Sequence, residues 1–311
     1  MKKALVALGL TLALPLAWGV DYECKQLANP VTLDNPFIMP GGINKAAKVA
    51  GFFIDAGNLS HGFVYDGQTK AYQANLDAPG AENGTVATGI NDNGLIVGYY
   101  TDFMLTVHGF AYDGLAYKIL DMPNSSATYP QGLNKLGVVV GDYRKADGSI
   151  HGFIYNGTGF TSFDAAVGAF STTLTDINDR GELAGYFQAT PTASKRGFFK
   201  YGITPQAGDY TLDANNGVSM SSAAVGLNND RQLVGDYRDK QGGFHSFVGT
   251  SLAPLDSICG FAVYDLDGIS SNGDLVGRYF DAQGGLHAFI ANPLFKRKKS
   301  AWKRALFNSA F

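Results

Sequence analysis

Short runs in which apolar and polar side chains alternate recur along the chain, separated by clusters of Gly, Asn and Asp, and predict strands joined by tight turns. Residues 85–121 show the pattern clearly: Thr85 to Asn91, Leu95 to Tyr100, His108 to Tyr112 and Tyr117 to Asp121 read as four strands. Between them, Asp92-Asn93-Gly94 and Asp113-Gly114 are turn sequences whose glycine can take positive φ.

That unit repeats. GINDNGLIVGYY at 89–100 is echoed by GLNKLGVVVGDY at 132–143, DINDRGELAGYF at 176–187, GLNNDRQLVGDY at 226–237 and GISSNGDLVGRY at 268–279, with a degenerate copy, GINKAAKVAGFF, at 42–53. Registered on Asn44, Asn91, Asn134, Asn178, Asn228 and Ser270, the copies are 47, 43, 44, 50 and 42 residues apart. A His-x-Phe mark follows each copy: His61 to Phe63, His108 to Phe110, His151 to Phe153, Arg196 to Phe198, His245 to Phe247 and His287 to Phe289. A weaker mark precedes each: Leu33-Asp34, Leu76-Asp77, Leu120-Asp121, Phe163-Asp164, Leu212-Asp213 and Leu255-Asp256.

Four strands in about 45 residues is the size of a propeller blade. A β-solenoid coil would be about half as long, and a β-trefoil would stop at three units. The expectation is an all-β chain, a six-bladed β-propeller of four-stranded blades spanning residues 20–292. The last copy ends after its third strand, so the N-terminal segment, with its Leu33-Asp34 element, is expected to complete that blade. Cys24 then lies just before the closing strand and Cys259 at the entry to the sixth blade, where a disulfide would staple the ring. The alternative is two buried free cysteines.

The acids agree with this picture: 24 Asp stand against only Glu23, Glu82 and Glu182, and turns favour Asp where helices favour Glu. Residues 1–19 read as a secretory signal peptide, with Lys2 and Lys3, an apolar run from Ala4 to Leu14, and Ala17-Trp18-Gly19 as the cleavage site. The apolar run is shorter than the ~20 residues a span needs, so no transmembrane segment is expected after cleavage. Residues 21–292 hold all 27 acids but only 16 of the 24 bases, a net charge of −11 that argues against nucleic acid as partner. Lys296, Arg297, Lys298, Lys299, Lys303 and Arg304 make residues 293–311 a basic tail. It reads as a solvated end, with attraction to an anionic surface as the alternative.

The repeated residues read first as structure. The histidines stand on the third strand from the axis, too far apart for one metal, so His61, His108, His151, His245 and His287 are assigned to blade packing, with their imidazoles bonding the backbone of an adjacent turn. Asn44, Asn91, Asn134, Asn178 and Asn228 are expected to bond their own turns, the Gly of each Gly-x-aromatic end to let neighbouring blades approach, and its aromatic to fill an inter-blade gap. A calcium-loop reading of Asp176 to Gly181 fails because Arg180 falls at a ligand position. No metal or cofactor is called for. Neither a Gly-x-Ser-x-Gly elbow, a His-Glu-x-x-His pair nor a phosphate-cradling loop occurs, so no catalytic residue is assigned.

In a repeat protein, function is sought where the copies differ. Tyr99, Asp142, Tyr186, Asp236 and Arg278 occupy one such position, and exposed Tyr with Asp and Arg around a ring suits sugar or peptide binding. The hairpin tips that follow (101–107, 144–150 and 188–195) also differ. On these repeated motifs the chain resembles the bacterial HAF-repeat family of extracellular proteins over residues 31–292. It departs from that pattern at Arg196, Ser270, Ala47, Arg231 and Ser246. The resemblance implies an exported repeat protein of unassigned activity and carries over no catalytic residues.

The reading is therefore a monomeric, secreted or cell-surface binding or scaffold module, the periplasm remaining open, with extracellular polysaccharide or an envelope protein as partner. The rival is a propeller-fold glycoside hydrolase or polysaccharide lyase. Two or three Asp around an open axial pocket would favour that enzyme, and an aliphatic plug would exclude it.

Overall fold

The computed structural model describes residues 21–27, 37–204, 209–212, 219–250 and 252–294, which form β-strands and no helix. The signal-like segment 1–19, the tail from 295 onward, Leu33-Asp34 and Asp213 lie outside the described residues. β1 (Tyr22–Gln26) is followed by three antiparallel four-strand units: β2 (Phe37–Ile43), β3 (Lys48–Ile54), β4 (Ser60–Asp66) and β5 (Ala71–Ala74); β6 (Thr85–Ile90), β7 (Ile96–Thr101), β8 (Val107–Tyr112) and β9 (Tyr117–Ile119); β10 (Ala127–Leu133), β11 (Val139–Arg144), β12 (Ile150–Tyr155) and β13 (Phe160–Phe163). A fourth comprises β14 (Ser171–Ile177), β15 (Leu183–Gln188), β16 (Arg196–Lys200) and β17 (Tyr210–Thr211).

Unit five holds β18 (Ser219–Leu227), β19 (Leu233–Asp239) and β20 (Phe244–Val248); its fourth strand shrinks to one bridge between Phe247 and Pro254. Proline has no N–H to continue a ladder, which limits pairing there. In unit six, the short β21 (Ser257–Ile258) leads into β22 (Phe261–Ile269), β23 (Leu275–Phe280) and β24 (Leu286–Pro293).

The N-terminal strand does complete the last unit: β1 pairs antiparallel with β24, Cys24 opposite Ala291. The register corrects the expected details. Leu27 N–H donates to the Ala288 carbonyl at 2.9 Å, the bond that Leu76, Leu120, Leu212 and Leu255 make to Gly62, Gly109, Gly197 and Ser246. Leu27 is therefore the closing copy of the leucine mark, and Cys24 lies within the closing strand rather than before it. The Cys24–Cys259 disulfide ties that strand to the turn between β21 and β22.

Among the described residues, six hydrophobic clusters hold the units together, and each draws on two neighbours. Val97 and Ala111 of unit two pack with Leu133, Val139 and Phe153 of unit three, and Val276, Ala288 and Ile290 of unit six pack with Ile43, Val49 and Phe63 of unit one. Because the last unit meets the first in this way, the sheets form a ring: the fold is a β-propeller.

Within a unit, the Phe of the His-x-Phe mark is fully buried. It lies against the glycine of the neighbouring strand: a Cβ on Gly98 would stand 2.1 Å from the Val86 carbonyl oxygen and 2.8 Å from Phe110 Cζ. The Gly-x-aromatic glycines thus admit their own unit's ring. Close approach between units belongs to a different set, Gly42, Gly89, Gly132, Gly226 and Gly268; Gly42 and Gly268 face each other across the closure.

Candidate ligand-binding channel

The turns after the inner strands form one end of the ring. Each Asn Oδ1 accepts backbone N–H groups two and four residues on, as Asn91 does from Asn93 and Leu95 at 3.0 Å. Beyond the expected turn bonds, each Asn Nδ2 donates to the corresponding carbonyl of the next unit: Asn44 to Asn91, Asn91 to Asn134, Asn134 to Asn178, Asn178 to Asn228 and Asn228 to Ser270, at 2.9–3.2 Å. Ser270 has no amide, and Asn272 Nδ2 closes the circle on the Lys45 carbonyl at 2.8 Å.

The histidines bond carboxylates, not turn backbone. His61, His108, His151 and His245 each place Nδ1 2.8 Å from the Asp of the Leu/Phe-Asp mark, Asp77, Asp121, Asp164 and Asp256. On the other side, Nε2 meets the Asp of the preceding hairpin: Asp55, Asp102, Asp239 and, for His287, Asp281; in unit three Ser149 bridges His151 to Asp147. Against the pull of partial burial, the two carboxylates hold His61 and His108 above the ordinary imidazole value, and Asp256 and Asp239 do the same for His245. In the five units that have the histidine, the aromatic near the end of the second strand packs on this imidazole, as Tyr100 does on His108 at 5.2 Å, and also belongs to the cluster between two units, as expected. Among the described residues, no group of three or more His, Cys, Asp or Glu is arranged to hold a metal.

A channel of about 300 Å³ runs along the axis. Every inner strand carries a β-bulge three residues before its Asn position, at Gly41, Thr88, Gln131, Thr175, Val225 and Asp267. A bulge re-aims the extra residue, and all six line the channel. The wall is thus built from positions whose chemistry changes from unit to unit. Asp176 adds an acid where the other five units have glycine. Its Oδ1 accepts the Ile177 N–H and its Oδ2 the Leu227 N–H of the next unit, both at 2.8 Å, while burial within the ring pushes its pKa up to about 7.

Unit six concentrates charge beside the channel. Arg278 is only 7% exposed and grips Asp265 with a two-nitrogen fork, while its third nitrogen lies 3.3 Å from the Met39 sulfur. Burial raises Asp236 to about 7 against the Ser246 hydroxyl, which donates to it at 2.7 Å. Asp267 is pushed well above the carboxyl range by burial and by Asp265, and its Oδ2 is buried with no hydrogen-bond partner.

β18 and β22 have a second bulge, at Met220 and Tyr264, towards the start of each strand and away from the Asn turns. Tyr264 (38% exposed) forms an aromatic cluster with Phe244 (47%) and Phe280 (42%), ring centroids 6.1 and 5.1 Å away. The Arg278 guanidinium lies 5.1 Å from the Tyr264 ring and 5.6 Å from that of Phe37.

The residues expected to form an exposed binding ring are placed otherwise. Tyr99 lines the channel and meets Tyr129 edge-on at 5.1 Å; Asp142 is half-buried, 3.3 Å from Gln131 Nε2, and raised by burial to about 7; Tyr186 lies under the Lys195 ammonium at 4.4 Å. Of the five, the structure brings Asp236 near Arg278 and Tyr99 near Asp142. Sequence reasoning passed over Asp267, Asp176, Tyr264, Phe244, Phe280 and Phe37. The Asp176 signal was present as the one break in a column of glycines.

No family model matches the chain, and no curated relative matches it in sequence. Solved structures do match in fold. One from a study of two prolyl endopeptidases is 12% identical over 88% of this chain and 45% of that one, with a TM-score of 0.51. A variant of the Aleuria aurantia lectin in complex with alpha-methyl-L-fucoside is 15% identical over 82% of this chain and 90% of that one, with a TM-score of 0.47. The β-propeller domain of the Trilobed protease from Pyrococcus furiosus is 12% identical over 84% and 83%, with a TM-score of 0.46. The likeness is one of fold alone.

Proposed function

We propose that this chain is an exported six-bladed propeller of the HAF-repeat type, acting as a non-catalytic binding module that takes a sugar of an extracellular polysaccharide at its channel and an exposed aromatic cluster. The observation that carries this is the exposed Phe244–Tyr264–Phe280 cluster, whose Tyr264 stands on β22, the strand that brings Asp267 to the channel wall. A sugar offers a C–H face to aromatic rings and hydroxyls to acids and amides, and the site provides both surfaces together. The disulfide supports an oxidising compartment. No helix of the described residues is long and apolar enough to cross a membrane.

Four aspartates, Asp92, Asp176, Asp179 and Asp267, line the axial channel, and the enzyme reading asked for two or three. Asp176, however, spends both oxygens on backbone N–H groups, as two other channel acids spend theirs: Asp92 on Lys45 N–H and ammonium, and Asp179 on Lys135 N–H and Asn229 Nδ2. Two-carboxylate glycoside hydrolysis needs a pair free to act on the substrate. Among the described channel acids, only Asp267 has a buried oxygen without a partner.

Incubating the protein with a panel of polysaccharides tests the proposal. Retention without loss of polymer size is expected; a falling size would make the protein an enzyme. Neither retention nor cleavage would favour a protein partner, for which Phe103, Met104 and Leu105, all more than 70% exposed on one hairpin tip, are the specific observation.

A further inference from the structure

Resting on the binding reading above, we propose that the channel holds its ligand through a primary ammonium set against Asp267, so that the sugar it takes is an amino sugar with a free amine. Two features of the wall point to this chemistry.

The first is a shortage of donors. Thr88 Oγ1 donates to the Pro130 carbonyl at 2.8 Å, Thr175 Oγ1 donates to the Ala224 carbonyl at 2.9 Å, and Gln131 Nε2 is turned to Asp142. Both threonine hydrogens are committed and Gln131 has one of its two left, so the bulged polar residues offer a ligand mostly lone pairs. The partner that fits is rich in hydrogens, and an ammonium supplies three on one atom.

The second is an uncompensated carboxyl. Asp236, Asp265 and Asp267 surround a single guanidinium, and Arg278 is committed to Asp265. Among the described residues, Lys135 is the one basic residue in the channel wall, and it belongs to the turn end of the ring. Asp267 Oδ2 therefore meets no donor, and the one cation that acts on Asp267, Arg278, is forked to Asp265. Burial disfavours the charged form of Asp267, and an ammonium held in the channel that Asp267 lines would favour that form through a charge-assisted hydrogen bond. A metal ion would need several such ligands converging, and the described residues contain no such group.

The test is calorimetric titration of the full folded chain with glucosamine, N-acetylglucosamine and glucose. Glucosamine should bind at least about ten-fold more tightly than the other two, which share its ring but not its charge. Asp267→Asn should abolish that preference while leaving the melting temperature unchanged or higher, since it removes an unpaired acid. Equal affinities for the three sugars, or a preference that survives Asp267→Asn, would overturn the ammonium assignment even if polysaccharide is retained. Glucosamine binding without retention of any polysaccharide would uphold it and remove the polysaccharide reading.

Discussion

The turn end of the ring and the part away from it are built on opposite plans. At the turn end, asparagines in five units make the same bonds to their own turn and to the next unit, and the sixth substitutes Ser270 with help from Asn272. Away from the turns the units diverge: among the described strands only β18 and β22 carry a second bulge, and in unit six Asp265 and Arg278 stand between Tyr264 at that bulge and Asp267 at the shared one. Repetition holds the ring closed; its local failure creates an asymmetric site. The two plans can be separated experimentally, because a framework change should cost stability and a unit-six change should cost binding.

The largest stability loss is expected from the framework. Phe153 is fully buried between β12 and its neighbours, and Phe153→Ala should cost about 3–5 kcal/mol by denaturant melting. A loss below about 1 kcal/mol would mean that the repeated Phe is not the core of its unit. Next comes the closure. Cys24–Cys259 spans 235 residues of sequence, and replacing both cysteines with serine should cost about 2–5 kcal/mol. An unchanged midpoint on reduction would show that the β1–β24 pairing and the inter-unit core suffice to close the ring.

The third expectation concerns pH. His61, His108 and His245 are held above the free imidazole value, and burial lifts Asp142, Asp176 and Asp236 to about 7. For all six the folded state binds protons more tightly than the unfolded chain, so their contribution is full at low pH and is lost as pH rises through the folded values. Asp55, Asp102, Asp239 and Asp281 run the other way. Backbone N–H groups and the imidazoles lower them, so their contribution is present above the free carboxyl value and lost as pH falls below about 4. Stability should therefore peak between about pH 4 and 6 and decline towards pH 8. A melting temperature that rises from pH 5 to 8 would contradict this, and His245→Gln should flatten part of the decline.

What could be read from the sequence divides along the same line. Spacing and turn chemistry carried the strand pattern, the third-strand histidines, closure by the N-terminal segment and the disulfide partners, because these depend on features that recur. The Asp partners of the histidines were visible as a separate repeated mark, yet nothing in the one-dimensional pattern joined His108 to Asp121. The site was harder to see. A bulge shifts a residue by one register position without a composition signal, so Tyr264 read as one more strand aromatic. The column of Tyr99, Asp142, Tyr186, Asp236 and Arg278 was correctly seen as variable, but its second-strand position turns Tyr99, Asp142, Asp236 and Arg278 towards the next unit rather than to solvent.

The smallest stability change should come from the residue most diagnostic of the site. Tyr264 is inserted by a bulge, has more than a third of its surface in water, and contacts Phe244 and Phe280, which are themselves exposed. Removing its ring opens no closed cavity, so Tyr264→Ala should move stability by only about 0.5 kcal/mol. If the exposed cluster is where a sugar stacks, the same change should abolish retention on the polysaccharide that binds the parent protein. Arg278 would lose one of its two flanking rings but keep its fork to Asp265. A fall in binding with an intact melting curve would therefore belong to the lost aromatic surface. A variant that loses several kilocalories of stability would instead make Tyr264 part of the framework, and the contrast between the two plans would disappear.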